Sequence, residues 1–520
     1  MRALVITTLL LHSLAPAQFQ NFQVSKPSSL DPEEVTIAID PVNPLNLAAG
    51  ANIRYTYCST DGGQTWTESQ LPFGTWGDPC VVFDAEGVLF YGHLAYFRSP
   101  GTYFIDRLIV HRSTDGGKSW QDSAEIGYNP PKQQDKDWLA ADLTHSQYRN
   151  NVYMAWTEFD SYGSNSPADS SRILFSRTTN EGVAWSVPVR VSDRAGDCLD
   201  GDGTVEGAVP AVGPNGEVYL SWGGPLGIVF DKSSDGGQTF GADVFVAPQP
   251  GGWDFAVSGI YRCNGLPVTA CDISTSPYRG TIYVGWSDQR NGIGNTDIFC
   301  TKSTDGGQTW GTAKQVNSDA GSAQQFFTWM TVDPITGHLY FVFYDRRGTI
   351  GDWTDVYIAR STNGGETFQN FKISSSSYLP VSSIFFGDYT NIAVRDGKIY
   401  PIWMRMDGTD LSVWAALISD STLTEVKEED NVPLQTILLQ NYPNPFNPTT
   451  AISFQIPAVS FVTLKVIDLL GREVATLVND VKQPGRHTVT WNASERASGI
   501  YFYRLQTMGR VEQKSMVLIR

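Results

Sequence analysis

Beyond its first seventeen residues the sequence has no apolar run long enough to cross a bilayer, which excludes a helical membrane span. Basic residues are scarce. Lys and Arg number 37 against 54 Asp and Glu, for a net charge of −17. The deficit lies in residues 1–420, because residues 421–520 carry 10 basic and 9 acidic groups. That balance excludes nucleic acid and anionic lipid as partners and leaves neutral sugars and cations. Cysteine is limited to six residues, and no spacing among them matches a zinc site. There is no phosphate loop, nucleotide fingerprint or redox motif. With six histidines, no Ser-His-Asp arrangement stands out, and His93, His111 and His338 lie in or beside strands and read as structural. What the chain does have is 49 Gly and 15 Trp with only 18% charged residues, a composition suited to an all-β protein with many turns.

The chain opens on Arg2, an apolar stretch from Ala3 to Leu11 and the small-residue triplet Ala15-Pro-Ala17. These predict a secretory leader over residues 1–17 and a mature start near Gln18, outside the cytoplasm. An exported chain with an even cysteine count (Cys58, Cys80, Cys198, Cys263, Cys271, Cys300) has room for three disulfides. Cys198 and Cys263 fall in loops entering adjacent repeats and are the favoured pair.

One short unit recurs. It is Ser59-Thr-Asp61-Gly-Gly-Gln-Thr65-Trp66, and it returns around Asp115, Asn180, Asp235, Asp305 and Asn363, six copies 54 to 70 residues apart. Six copies in register mean a repeat architecture. Asp or Asn can bond its own turn backbone, the glycines accept positive φ, and Asp-Gly between apolar runs signals a hairpin. The closing Trp or Phe is expected to pack between neighbouring sheets. The pattern S-x-D-x-G-x-T-W resembles the Asp-box of sialidase-type (BNR-repeat) β-propellers. The resemblance implies that the six boxes are structural and lie on the face away from the ligand site.

Each box follows three short apolar strands and precedes a fourth, which is the content of one propeller blade. Second strands share a signature, as in Asn151-Val-Tyr-Met-Ala-Trp156 and Thr281-Ile-Tyr-Val-Gly-Trp286. Six units carry a box. A seventh, Phe386 to Ile418, has three strands and no box. Asn21-Phe-Gln-Val-Ser25 resembles the fourth strands and is expected to complete it, which removes an exposed sheet edge. The reading is a seven-bladed propeller over residues 18–418, with six blades as the alternative, then a linker over 419–440. Residues 441–520 form short alternating strands, as in Ala451–Ile456 and Val462–Ile467, and suggest a small β-sandwich. The opening Tyr442-Pro-Asn-Pro-Phe-Asn-Pro448, Leu470-Gly-Arg-Glu-Val474, Gly499-Ile-Tyr501 and the Lys-Ser-Met-Val-Leu ending are similar to the C-terminal sorting domain of the type IX secretion system. That resemblance implies passage through the periplasm, contact with the secretion machinery through residues 441–520, removal of the tail on export, and release or attachment at the outer-membrane surface.

Ligands of propellers bind where the face opposite the boxes opens on the central channel. Five first strands start beside a carboxylate: Glu34, Asp78, Asp137, Glu206 and Asp388. Asp78, Asp137, Glu206 and Asp388 are the catalytic candidates, because neighbouring carboxylates push pKa values apart and can act as acid and base on a glycosidic bond. The same ring can instead hold Ca²⁺ through oxygen ligands, or merely cap loop backbone. Glu34, Glu158, Asp288, Arg290, Asp345, Arg346, Tyr389 and Arg405 are substrate-binding candidates at the rim, where hydroxyls can bond carboxylate and guanidinium pairs. A sialidase clamps its substrate with three arginines, the first in a Phe/Tyr-Arg-Ile-Pro motif. The first strand here, Glu34-Val-Thr-Ile-Ala-Ile39, has no arginine, so the resemblance carries the fold and not the activity. Three functions follow: recognition of an extracellular glycan or glycoprotein, a glycoside hydrolase or other polysaccharide-degrading enzyme using a carboxylate pair, or an adhesive surface protein. A monomer is expected.

Overall fold

The computed structural model describes residues 19–519 apart from 27, 29–31, 73, 98–103, 122, 320, 350, 424–435, 457–459, 483–484 and 508–509. The expected leader and the acidic part of the linker, Thr424 to Asn431, lie outside the described residues. The chain divides into two compact units, Met1–Leu423 and Thr424–Arg520.

In the first unit six sheets each consist of four consecutive antiparallel strands. The first holds Thr36–Ile39, Leu47–Ala51, Tyr55–Ser59 and Thr67–Gln70. The others start with Thr75–Phe83, Gln133–Ala141, Glu206–Val212, Val268–Cys271 and Gln325–Val332. A seventh sheet contains Asn391–Arg395, Lys398–Asp407 and Asp410–Ala416. Its outer place is taken by Asn21–Gln23, with Asn21 opposite Ala416. The pairing extends into the next residues, since Val24 N–H donates to the Val413 carbonyl at 2.8 Å. The starting strands lie against one another in chain order, and Asn391–Arg395 lies against Thr36–Ile39. The sheets therefore stand around a central channel in a propeller arrangement.

Second strands carry the large rings of the core. Trp156, Trp222, Trp286 and Trp403 are all buried. Each removes about 200 Å² from water, roughly 5 kcal/mol of hydrophobic stabilisation before entropy is counted. The boxes add contacts between sheets. Ser59 Oγ donates to Asp61 Oδ1 (2.8 Å), Thr65 Oγ1 donates to Asp61 Oδ2 (2.6 Å), and Gly63 N–H donates to Ser59 Oγ (2.9 Å). These bonds, the Thr65 hydroxyl first, hold the Asp61 carboxyl down at about 2. The weaker copy at Asn180 keeps the same turn bonds from Thr178 and Ala184. The second box glycine fits beneath an aromatic ring of the preceding sheet. A Cβ on Gly307 (φ +85) would stand 2.2 Å from Phe230, and one on Gly237 (φ +80) 2.4 Å from Phe175. The closing aromatics Phe240 and Trp310 meet the same two rings edge-on at 4.9 and 5.1 Å.

All six cysteines are buried and unbonded, so the expected Cys198–Cys263 disulfide is not formed. The two belong to separate local structures. The Cys198 carbonyl accepts from Gly163 N–H (2.7 Å), whereas Cys263 pairs with Phe255 in a two-stranded ribbon of Asp254–Phe255 and Cys263–Asn264. The residues after 418 still belong to the first unit. Ile418–Ser419 pairs with Lys398–Asp407, and Asp420 accepts from Tyr340 Oη (2.7 Å) and Arg360 Nη1 (2.9 Å).

The second unit has two antiparallel sheets. One holds Ile437–Leu438, Thr449–Ile456 and Gly485–Asn492; the other holds Glu473–Lys482, Ser460–Ile467, Gly499–Thr507 and Arg510–Leu518. Alternate residues of both (Ile452, Phe454, Val462, Leu464, Tyr503, Met516) enclose one apolar core, as period-2 patterning requires. Glu473–Lys482 is a strand that the sequence pattern had not suggested, because it alternates weakly and is mostly exposed. The proline-rich opening contributes isolated bridges at Tyr442 and Phe446 instead of a strand.

Candidate functional site at the channel mouth

A backbone irregularity recurs where the first strands begin. Register shifts fall between Gly77 and Cys80, Asp135 and Trp138, Glu206 and Val209, and Phe326 and Trp329. At this point Glu34, Asp78, Lys136 and Phe327 have φ of +52°, +51°, +50° and +50°. A side chain in that region costs about 1–2 kcal/mol, and such strain concentrates at functional sites. The bulge re-aims one side chain per sheet.

In the third sheet that side chain belongs to Lys136. Its Nζ lies 2.5 Å from Asp388 Oδ2 and 3.6 Å from both Glu34 Oε1 and Asp78 Oδ2. One ammonium thus gathers carboxylates from the first, second and seventh sheets. Arg262, delivered by the two-stranded ribbon, donates from Nε and Nη2 to Asp388 at 2.9 and 2.5 Å. Asn264 Nδ2 donates to the Asp388 carbonyl (3.0 Å). Asn52 ties the first two sheets, donating from Nδ2 to Glu34 and accepting from Asp78 N–H at 3.0 Å.

Burial divides these acids. It raises the Glu34 carboxyl well above the usual range, and the Asp78 charge adds to the effect. Burial would raise Asp388 too, but Lys136 and Arg262 override it and hold Asp388 ionised. Asp135 is pushed up to about 8, by burial first and then by Asp78.

Aromatic rings lie beside the charges. Trp138 and Trp329 meet across the channel at 4.2 Å between centroids, and Tyr389 stands edge-on to Trp138 at 5.5 Å. These rings, with Asp78, Lys136 and Asp388, line a small pocket of ≈ 50 Å³. The same two tryptophans also line the ≈ 290 Å³ channel beyond it, so they separate the two spaces.

Among the candidates from the sequence, the structure brings Glu34, Asp78, Asp388 and Tyr389 together. Asp137 follows the re-aimed Lys136, as Asp388 follows Gly387 (φ +87), and lines the same pocket, whereas Glu206 stands one residue before Gly207 and does not line it. Asp137 Oδ2 packs toward Gly92 of the second sheet, 3.0 Å from where a Cβ there would lie. Both oxygens of Asp137 and of Glu206 are buried without a hydrogen-bond partner, and burial raises both carboxyls well above the usual range. The other rim candidates, Glu158, Asp288, Arg290, Asp345, Arg346 and Arg405, are engaged elsewhere and do not line the pocket. Glu158 accepts from Arg172 (2.5 Å) and Lys132 (3.0 Å), Asp288 pairs with Arg290 (2.5 Å), and Asp345 pairs with Arg347 (2.7 Å). Arg346 donates to Asp352 (3.1 Å) and Arg405 to Asp407 (2.7 Å). A calcium ion does not fit the carboxylate ring, because Lys136 Nζ stands where the ion would. Among the described residues no group of three His, Cys, Asp or Glu is placed to hold a metal.

Sequence reasoning missed Lys136, Arg262 and Asn264. Lys136 was detectable as a cation between Asp135 and Asp137 at a strand start. Arg262 and Asn264 lie in an insertion with no counterpart in the other repeats.

The fold and its boxes define an Asp-box β-propeller followed by a sorting-type tail. Residues 57–68 match the BNR/Asp-box repeat, and residues 440–519 match the secretion system C-terminal sorting domain. The tail marks the chain for export, to the cell surface or beyond it. No curated protein sequence matches the chain. Similar solved structures include the Hadza microbial sialidase Hz136 (13% identity, 74% of this chain and 75% of that one, TM-score 0.42). Others are the Trypanosoma rangeli sialidase (13%, 87% and 85%, 0.41) and the α-L-arabinofuranosidase Arb93A from Fusarium graminearum (12%, 66% and 92%, 0.43). At TM-scores below 0.5, no activity or ligand is carried from them to this chain.

Proposed function

We propose that the seven sheets are the blades of one closed propeller, and that its channel-mouth pocket recognises extracellular glycans. The sorting tail supports delivery of this site to the outer-membrane surface or the medium by the type IX machinery. One observation carries the glycan reading: three aromatic rings border the same pocket as a cluster of carboxylates and an ammonium. Sugar rings stack on aromatic faces while their hydroxyls bond charged groups, so both halves of a sugar's chemistry are met. The test is titration of the full chain with oligosaccharides, followed by tryptophan fluorescence and calorimetry. Saturable binding that weakens at least about tenfold in Trp329→Phe or Asp78→Asn is expected. Absence of binding across a broad glycan panel would sink the reading.

A second reading, glycoside hydrolysis, is favoured by the division of protonation states around Lys136. Burial pushes the Glu34 carboxyl toward its protonated form, while Lys136 and Arg262 keep Asp388 ionised, a split of the kind that acid and base roles use. Sugar release from oligosaccharides, abolished in Glu34→Gln with binding retained, would establish it. Binding without release leaves recognition alone.

A further inference from the structure

We propose that the channel-mouth pocket selects neutral, hydroxyl-rich glycans and rejects those bearing carboxylate or sulfate groups. The inference rests on the glycan reading above and concerns the same pocket.

The cations of the mouth are already engaged. Lys136 is shared among Asp388, Glu34 and Asp78. Arg262 spends Nε and Nη2 on Asp388, and its guanidinium lies over the Phe385 ring, 4.8 Å from the centroid. The three arginines available for a carboxylate clamp, Arg290, Arg346 and Arg405, are each paired with an aspartate close by in sequence. An anionic sugar entering the pocket meets no uncompensated positive charge among these residues.

The surroundings are acidic. Asp200, Asp202 and Asp254 stand beside the cluster. Asp200 accepts from Tyr162 Oη (2.5 Å) and Asp202 from Asp254 N–H (2.8 Å). Burial first, and then the charges of Asp202 and Asp200, raise the Asp254 carboxyl. Like charge brought beside such a group of acids is strongly disfavoured.

The unfilled hydrogen-bonding capacity points the same way. Thr328 Oγ1 and Tyr389 Oη are buried without hydrogen-bond partners, and Glu34 Oε1 and Asp78 Oδ2 have only the Lys136 ammonium, at 3.6 Å. Carboxylate oxygens only accept when ionised, and hydroxyls do either. A hydroxyl-bearing ligand can donate to the carboxylate oxygens and accept from the Thr328 and Tyr389 hydroxyls, whereas a carboxylate or sulfate can only accept and leaves the carboxylate oxygens unmet. A cationic ligand is disfavoured for a different reason: Lys136 Nζ already holds the place among the carboxylates, 5.8 Å from the Tyr389 ring centroid.

Matched glycan pairs test the selectivity. Full chain is titrated calorimetrically with oligogalacturonides in methyl-esterified and de-esterified form, with lactose and sialyllactose, and with neutral arabinan, galactan and xylan fragments. Within a pair that binds, the neutral member is expected to bind about tenfold or more tightly than its acidic partner. Asp254→Asn, on the exposed ribbon, is expected to narrow that gap by strengthening the acidic member, and added salt is expected to narrow it as well. Equal or tighter binding of the acidic member overturns the selectivity while leaving glycan recognition standing. A gap unmoved by both Asp254→Asn and salt overturns its electrostatic basis. If no glycan of either kind binds, the glycan reading itself fails.

Discussion

Lys136 is the residue on which the mouth depends. Removing it leaves three largely buried carboxyl groups facing one another. Loss of one partner from a buried ionic group costs about 3–5 kcal/mol. Lys136→Met is therefore expected to lose that much stability at pH 8, and less at pH 5, where the orphaned carboxyls can take up protons. Urea denaturation at both pH values checks this, and an equal loss at the two would contradict it. Asp135 gives a second pH signature. Its carboxyl is pushed to about 8 in the folded chain, against about 4 unfolded. The folded state therefore holds a proton that the unfolded state releases, and the stability this contributes is full below about pH 4 and is lost as pH rises to about 8. Asp135→Asn should be more stable than the parent at pH 8 and show a flatter profile across that window, read from denaturation midpoints. At this scale the sequence was only partly legible. Charged residues at strand starts were visible, but a bulge re-aims one of them. Lys136, at φ +50°, is the side chain that the kink turns onto the other sheets' carboxylates, while Asp137 beside it lines the same pocket, and no repeat pattern registers a one-residue kink.

The Asp-box is the element that fixes each sheet to its neighbour. Its glycines have two separate duties, and alanine substitution can tell them apart. At Gly116 (φ +75) a Cβ meets nothing within 4 Å, so Gly116→Ala is expected to cost only the backbone strain, about 1 kcal/mol. At Gly307 (φ +85) the same change also drives a Cβ into Phe230, and about 2–4 kcal/mol is expected. Thermal and urea unfolding of the two variants check the difference, and equal costs would mean that the contact between sheets contributes little. The elements themselves were easy to read. Six copies of one turn, with strands that close on Trp156, Trp222 or Trp286, repeat the same physical instruction. What escaped was the unrepeated part, such as the ribbon of Asp254–Phe255 and Cys263–Asn264, which resembles none of the blades and yet places Arg262 against Asp388.

At the level of the whole molecule, the seventh sheet of the first unit takes its outer strand from the start of the chain. Deleting residues 19–26 uncovers Asp410–Ala416 as an edge strand and removes the bond from Val24 to Val413. The shortened chain is expected to melt at lower temperature and to self-associate, which light scattering during a thermal ramp would report. A synthetic peptide of residues 19–26 added back should restore part of the lost stability. This closure was legible because a three-strand remainder needed a fourth, and only Asn21–Ser25 had the right pattern. The assembly of the site was not, because nothing in a linear alignment shows that the first, second, third and seventh sheets meet at one lysine.

That meeting gives the site a place in the history of each molecule. Lys136 emerges early in synthesis, and Asp388 only some 250 residues later. Until the final blade docks, the ammonium lacks its nearest counter-ion and the pocket lacks one wall. A chain cut short or halted during export thus presents no finished binding surface. The pocket is completed only when the last-made part of the propeller meets the earlier ones.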